Sequence, residues 1–579
     1  TSAHAVILKE FGKSQIEVIA DDDHIRLVFE YHVRIKIFDG KGFDSATANI
    51  ILRNDKNDQS PDLLGEVIGV TYYKDDNGLT QKVVFDPKNI FTTRDYQYQS
   101  TAKFTMPGLH NGCIIEYKYS LQSPLYLYNF RPWSFQSNIP KIYSEYEAII
   151  PGHFNYNASL RGSQKLTKNN ATIHSGCFLF HGSKSDCSDM VYGMSDIPAF
   201  IEEDDMTSAK NFMSAINFEL VEYTDPYTGV RTKTTKEWHD IDYGLKSDVN
   251  FGTQLKKKDL FKDHIAPVIA GKTDELEKAK AIYIYLQKWF KWNNYIGIYS
   301  DGIKKAFESH SGSIADINIS LVAALNGAGI NAEAVFVSTR DHGAINMLYP
   351  GLNDFNYLVA KANIGDKSYL LDATDPMLPF GILPMKCLND KGRAYSLDKP
   401  SYWIDMTTGQ RENTTYTFDL TLQDNGKLKG TISHYSSGYS GYLKRKEIKK
   451  FNSVDEYVEN LGEKLPKIKI LKSSIVNLDT LDMPLAEIYE VEMDAFDNLN
   501  HDRLRFNPFI LNRFTTNPFK LAHRDYPVDW GMPSDERYIL TLHLPSQYSM
   551  ENAPQNVSYA MPNNGGMFTT SFEGNNNTF

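Results

Sequence analysis

The residues of this chain that could do chemistry gather between His310 and Asp372: His310, Ser313, His342, Tyr357 and Asp372. They supply the types used in acyl transfer, which needs a nucleophile, a base within hydrogen-bond reach and a group that orients the base. Each also has a plainer reading. Ser313 without a paired base is a weak nucleophile, and it precedes Asp316 at the spacing of a helix capping box. A phenol such as Tyr357, with an ordinary pKa near 10, is a poor base at neutral pH. His342 sits in the loop-like Asp341-His342-Gly343 and His310 precedes the cap, so both read as solvated loop histidines. Glu202, Glu203, Asp204 and Asp205 could hold a cation, but the spacing of a calcium loop is absent and a solvated loop is expected. Glycine-rich phosphate loops, H-E-x-x-H and G-x-S-x-G are missing, which removes the common nucleotide, zinc-protease and serine-hydrolase readings.

Several elements must position these groups. After the Ser313 cap, Ile314, Ile317, Leu321, Leu325 and Ala328 recur at helical spacing until Gly327 and Gly329, predicting a helix buried along one face. Residues 332–339 are β-rich, and 356–362 and 367–373 flank Gly365-Asp366, a two-residue hairpin turn. That register sets Val359 opposite Asp372 and Tyr357 opposite Thr374. Tyr357 and Asp372 then share a face as diagonal neighbours, about 7–8 Å apart. Upstream, residues 236–242, 247–261 and 274–292 carry helical periodicity, with Thr273 as the expected N-cap of the last. Its stripe of Leu276, Ala279, Ile282, Tyr283, Leu286 and Phe290 reads as core.

In chain order these segments resemble the core of the bacterial transglutaminase-like superfamily, a papain-like arrangement of Cys, His and Asp. In that family a G-x-C-x-D segment opens the helix, and later strands carry F-N-H and L-D-A-T. Here the matching segments are Gly312-Ser313-Ile314-Ala315-Asp316, Phe355-Asn356-Tyr357 and Leu371-Asp372-Ala373-Thr374. The resemblance puts Ile314 at the Cys position, Tyr357 at the His position and Asp372 at its own. Isoleucine has no nucleophilic atom, so two of three catalytic roles are empty and Ile314, Tyr357 and Asp372 are expected to form a catalytically inactive relic.

The stretches VRIKIFDGKGFDSA, FTMPGLHNGCIIEYKYSL and SDIPAFIEED resemble the N-terminal β domain that precedes this core in bacterial envelope proteins, and FNPFILNRFTTNPFKLAHRDYPVDWG its C-terminal β domain. The expected fold is therefore α+β: a papain-like transglutaminase core (231–405) flanked by N-terminal (1–230) and C-terminal (406–579) antiparallel β domains, the last either whole or truncated at Phe579.

A chain of 579 residues exceeds what one core usually supports, and its 13% aromatic content, with 35 Tyr and 32 Phe, suits strands. A net charge of −11 argues against nucleic acid or an anionic membrane as the main partner. No apolar run reaches the length of a membrane-spanning helix. Cys113, Cys177, Cys187 and Cys387 form no C-x-x-C, and Cys177 could meet Cys187 across a hairpin through Gly182-Ser183-Lys184-Ser185 or remain a buried thiol. No metal or cofactor is expected. The first residue is Thr, as in a processed chain, and the resemblance implies export to the periplasm or cell envelope. The expected function is protein, peptide or glycan binding or scaffolding there. The alternative is an amide-bond hydrolase or transamidase with a non-standard site.

Overall fold

Strands Ala5–Ile19 and His24–Ile37 alternate buried and more exposed side chains, so their apolar residues collect on one face of the hairpin they form. The computed structural model of the chain describes all residues except 1–2, 20–23, 55–60, 97–98, 125–126, 128–129, 235–236, 348–349, 495–502, 504, 512–515, 518 and 576. Two compact units result. The first is Thr1–Tyr243 with Asp341–Asp354 and His523–Val528; the second is Gly244–Arg340, Phe355–Ala522 and Asp529–Phe579. The stretches expected as core and C-terminal β domain thus lie mainly in one unit.

In the first unit the opening hairpin lies within a nine-stranded sheet. Lys141–Pro151 runs parallel to Ala5–Ile19, followed outward by Ser183–Ile197 and Lys168–Phe180; Ile114–Ser123, Ile68–Lys74 and Thr80–Val84 extend the other side. Two smaller sheets, built around Gln99–Thr105 and Ala215–Thr224, complete one core with it. Glu10 is buried there with its charge matched, accepting from Lys141 at 2.6 Å, Ser144 at 2.7 Å and Tyr31 at 2.9 Å.

The hairpin between Lys168–Phe180 and Ser183–Ile197 turns on His181-Gly182, both with positive φ (44° and 80°), as a two-residue primed turn requires. The turn is shorter than expected, because Ser183 already pairs with Phe180. Across it Cys177 and Cys187 form a disulfide, their Cα atoms 5.8 Å apart. The acidic run also departs from expectation at one residue. Glu203 is buried, accepting from the backbone N–H groups of Asp525 at 2.7 Å and Tyr526 at 3.1 Å, so it anchors a chain segment instead of meeting solvent.

In the second unit an antiparallel sheet runs Lys367–Leu371, Tyr357–Ile364, Asn331–Val337, Lys391–Tyr395, Tyr402–Asp405. Helix Ile314–Gly327 packs on it and is covered on its far side by Glu275–Trp289, Ile303–Ser309 and Lys258–Phe261. It is consequently buried all round from Ile314 to Leu325, not along one face. Glu275–Trp289 is capped by Asp274, which accepts from Glu277 N–H at 2.9 Å, and not by Thr273. A second five-stranded sheet follows, ordered Ile468–Val476, Leu485–Asp494, Lys427–Ser437, Glu412–Leu422, Ser534–His543, with helices Gly438–Ile448 and Val454–Lys464. The architecture is α+β, with strands dominant.

Candidate functional site

Helix Ile314–Gly327 starts where Ser313 and Asp316 bond reciprocally. Ser313 Oγ accepts from Asp316 N–H at 3.1 Å, and Asp316 Oδ2 accepts from Ser313 N–H at 2.9 Å and from its hydroxyl at 2.8 Å. Ser313 is therefore committed as a cap. Ile314 is the first helical residue and fully buried. Its N–H, which at a working nucleophile would be available to a developing oxyanion, donates to the Tyr295 carbonyl at 3.2 Å. The Trp292 indole donates to the same carbonyl at 3.0 Å. Two convergent donors are thus occupied by the chain's own backbone.

The Gly365-Asp366 hairpin has the expected register, with Ile364 opposite Lys367 and Ala360 opposite Leu371. It brings Tyr357 and Asp372, both with no exposed surface, onto one face, where the Tyr357 hydroxyl donates to Asp372 Oδ2 at 2.7 Å. Asp372 Oδ1 accepts from Asn318 Nδ2 and from Thr374 N–H, each at 3.0 Å. Asn318, one turn beyond Ile314, also donates to the Leu358 carbonyl at 2.9 Å and accepts from Ala373 N–H at 3.0 Å. One buried amide therefore ties the helix to both strands of the hairpin.

Burial, reinforced by the Asp372 charge, pushes the Tyr357 phenol far above its ordinary value, so it stays protonated and donates. Cys387, which the sequence pattern did not place here, lies in the same buried cluster as Ile314 and Tyr357. Burial and the Asp372 charge push its thiol up as well, the reverse of what activates a nucleophilic cysteine. The Lys386 ammonium lies over the rings of Tyr357 and Trp292, 4.6 and 5.0 Å from their centroids.

The other candidates lie elsewhere. His310 ends helix Ile303–Ser309 in a left-handed conformation with its ring against Trp289, 4.1 Å between centroids. His342 belongs to the first unit, in the segment whose Asp341 carbonyl accepts from Ser208 at 3.1 Å. Three residues after Asp372, Asp375 Oδ2 accepts from Tyr442 at 2.7 Å and Lys446 at 2.8 Å, both on helix Gly438–Ile448. Of the residues around Tyr357 and Asp372, sequence reasoning missed Tyr295, Asn318, Lys386 and Cys387; only Asn318 had a signal, as an amide one turn into a mainly apolar helix.

Residues 263–367 match the transglutaminase-like superfamily, and residues 502–579 match a domain of unknown function, DUF3858. Among solved structures, a protein from Parabacteroides distasonis described as a "putative protease" superposes with a TM-score of 0.50 at 14% identity, covering 85% of this chain and 93% of that one. At that identity the likeness concerns the fold. An M1 zinc metallopeptidase from Deinococcus radiodurans, at 8% identity, covers 33% of this chain and 43% of that one with a TM-score of 0.14, too low to bear on the architecture. No curated protein matches the chain.

Proposed function

From a chain that carries a transglutaminase-like core, we propose a catalytically inactive member of that group, acting in the bacterial cell envelope by binding a protein, peptide or glycan or by scaffolding. The observation that carries this reading is the filled site: Ile314 buried, its N–H bonded to Tyr295, and Tyr357 donating to the carboxylate an imidazole would have used. With the old cleft occupied by side chains, binding falls to the β surfaces. Lys168–Phe180, at the end of the large sheet, leaves Ile173 73% exposed, a feature suited to an extended partner. The Cys177–Cys187 disulfide supports an oxidising compartment such as the periplasm.

Incubation of the purified protein with casein and a labelled amine, with and without iodoacetamide, tests the inactivity. We expect no incorporation and no cleavage. Iodoacetamide-sensitive product would sink the reading.

A further inference from the structure

His434 and Ser436 stand two residues apart on strand Lys427–Ser437, and so on one face of the C-terminal sheet. Ser436 Oγ lies 3.1 Å from His434 Nε2, and His434 Nδ1 lies 2.7 Å from Glu487 Oε2, directly opposite on the neighbouring strand. Glu487 Oε1 accepts from the hydroxyls of Tyr457 at 2.7 Å and Tyr489 at 2.8 Å. Burial pushes the Glu487 carboxyl up, but the hydrogen bonds from His434 and Tyr457 and the nearby Lys444 charge outweigh it and hold the group below the usual carboxylate range. Glu487 is therefore an ionised acceptor and His434 Nδ1 must carry a hydrogen. On the neutral ring Nε2 is then the acceptor that faces the Ser436 hydroxyl. This is the tautomer that a serine nucleophile requires. The Tyr416 ring lies parallel to the imidazole, with centroids 4.4 Å apart, and holds it in this orientation.

A surface groove lined by Glu412, Thr414, Ser440 and Lys444 reaches both Ser436 and His434. Helix Gly438–Ile448 begins two residues after Ser436 with no side-chain cap, and its first-turn amides carry the partial positive charge that favours an oxyanion.

We propose that Ser436, His434 and Glu487 form a second site, separate from the transglutaminase-like relic, that hydrolyses short-chain acyl esters of polar alcohols. Ser436 Oγ bonds to the acyl carbon as its proton passes to His434 Nε2. The ester C–O bond breaks, and the leaving alkoxide takes that proton. Water then attacks the acyl-serine and gives its proton to His434; the Ser436–acyl bond breaks, Ser436 regains the proton and the carboxylic acid leaves. Ser436 is only 1% exposed, which confines the acyl group to a narrow one such as acetyl. The groove walls combine Thr414, Ser440 and Lys444 with Tyr416 and Leu443, a lining that suits an alcohol portion bearing hydroxyl groups beside an apolar face, as in a sugar.

The full chain, checked by circular dichroism, is incubated with p-nitrophenyl acetate and separately with a fluorophosphonate whose adduct is mapped by mass spectrometry. We expect a single adduct on Ser436 and iodoacetamide-insensitive turnover that falls at least tenfold in Ser436→Ala and in His434→Gln. Ser436→Ala removes only a hydroxyl, so it remains decisive should the histidine variant misfold. No adduct on the folded protein, an adduct elsewhere, or equal turnover by Ser436→Ala overturns the proposal. Because the casein test reads thiol-dependent amide chemistry, failure of one reading leaves the other standing.

Discussion

The Tyr357 hydroxyl donates to Asp372 across 2.7 Å between two residues with no solvent-exposed surface. The carboxylate that orients an imidazole in the related fold here serves as acceptor for a phenol, a helix amide and the Thr374 N–H. It has become a structural node of the core.

Tyr357→Phe leaves Asp372 Oδ2 without that donor inside the core, where an unsatisfied acceptor costs more than a hydrogen bond is worth on average. We expect a loss of roughly 1–3 kcal/mol in denaturant unfolding, with partner binding retained. Loss of binding without loss of stability would show that Tyr357 faces a ligand.

Ile314→Ala should cost about 2–5 kcal/mol, the range for a truncated core aliphatic, because Ile314 is packed with Val335, Val359 and Cys387 in one buried cluster. An unchanged melting curve would mean that the position is not core.

These two sites also mark what the sequence made legible. The capping box and the Gly365-Asp366 turn are local signals, and together they place Ile314 at the helix start and Tyr357 beside Asp372. Thr273 and Asp274 are both capping types, so the local pattern does not separate them. Nothing local to Glu203 signals its burial, because its donors, Asp525 and Tyr526, lie more than 300 residues away in sequence. Cys387 and Lys386 reach Tyr357 from a short 3-10 turn that carries no family motif. His434 and Glu487 meet only because two strands pair in one register, and no single-strand pattern encodes that.

Asp375 gives a pH prediction. Burial raises its pKa, but the hydrogen bonds from Lys446 and Tyr442 prevail and set the folded value below the ordinary one. Its contribution is therefore fully present above the unfolded value of about 3.9 and drains away as pH falls through the lower folded value. Lys446→Met removes one source of the depression, so acid unfolding should begin at higher pH than in the wild type. Superimposable acid-denaturation curves would refute this.

The cysteines allow a direct chemical check. In denaturant without reductant, iodoacetamide should modify Cys113 and Cys387 and spare Cys177 and Cys187. Closing a loop of sequence separation 10, the disulfide should contribute roughly 2–3 kcal/mol, read as lost stability in a variant carrying both Cys177→Ser and Cys187→Ser. Alkylation of all four cysteines before reduction would contradict the pairing.

The last prediction concerns restoring the family's residues. A chain carrying both Ile314→Cys and Tyr357→His regains a thiol and an imidazole, yet the surroundings that make them reactive are arranged otherwise. The N–H of position 314 is committed to the Tyr295 carbonyl, together with the Trp292 indole, so an oxyanion would have to displace backbone. The side chain at 314 is itself fully buried and packs in the hydrophobic core, where burial raises a thiol's pKa as it does that of Cys387. Lys386, over the ring at 357, adds a cation that disfavours a protonated imidazole there. We therefore expect the double variant to incorporate no labelled amine into casein. In the folded state its new thiol should react with iodoacetamide far more slowly than after denaturation. Rapid alkylation of the native variant, or amine incorporation above the wild-type background, would show that the cleft opens and that the site is a dormant enzyme instead of a filled one.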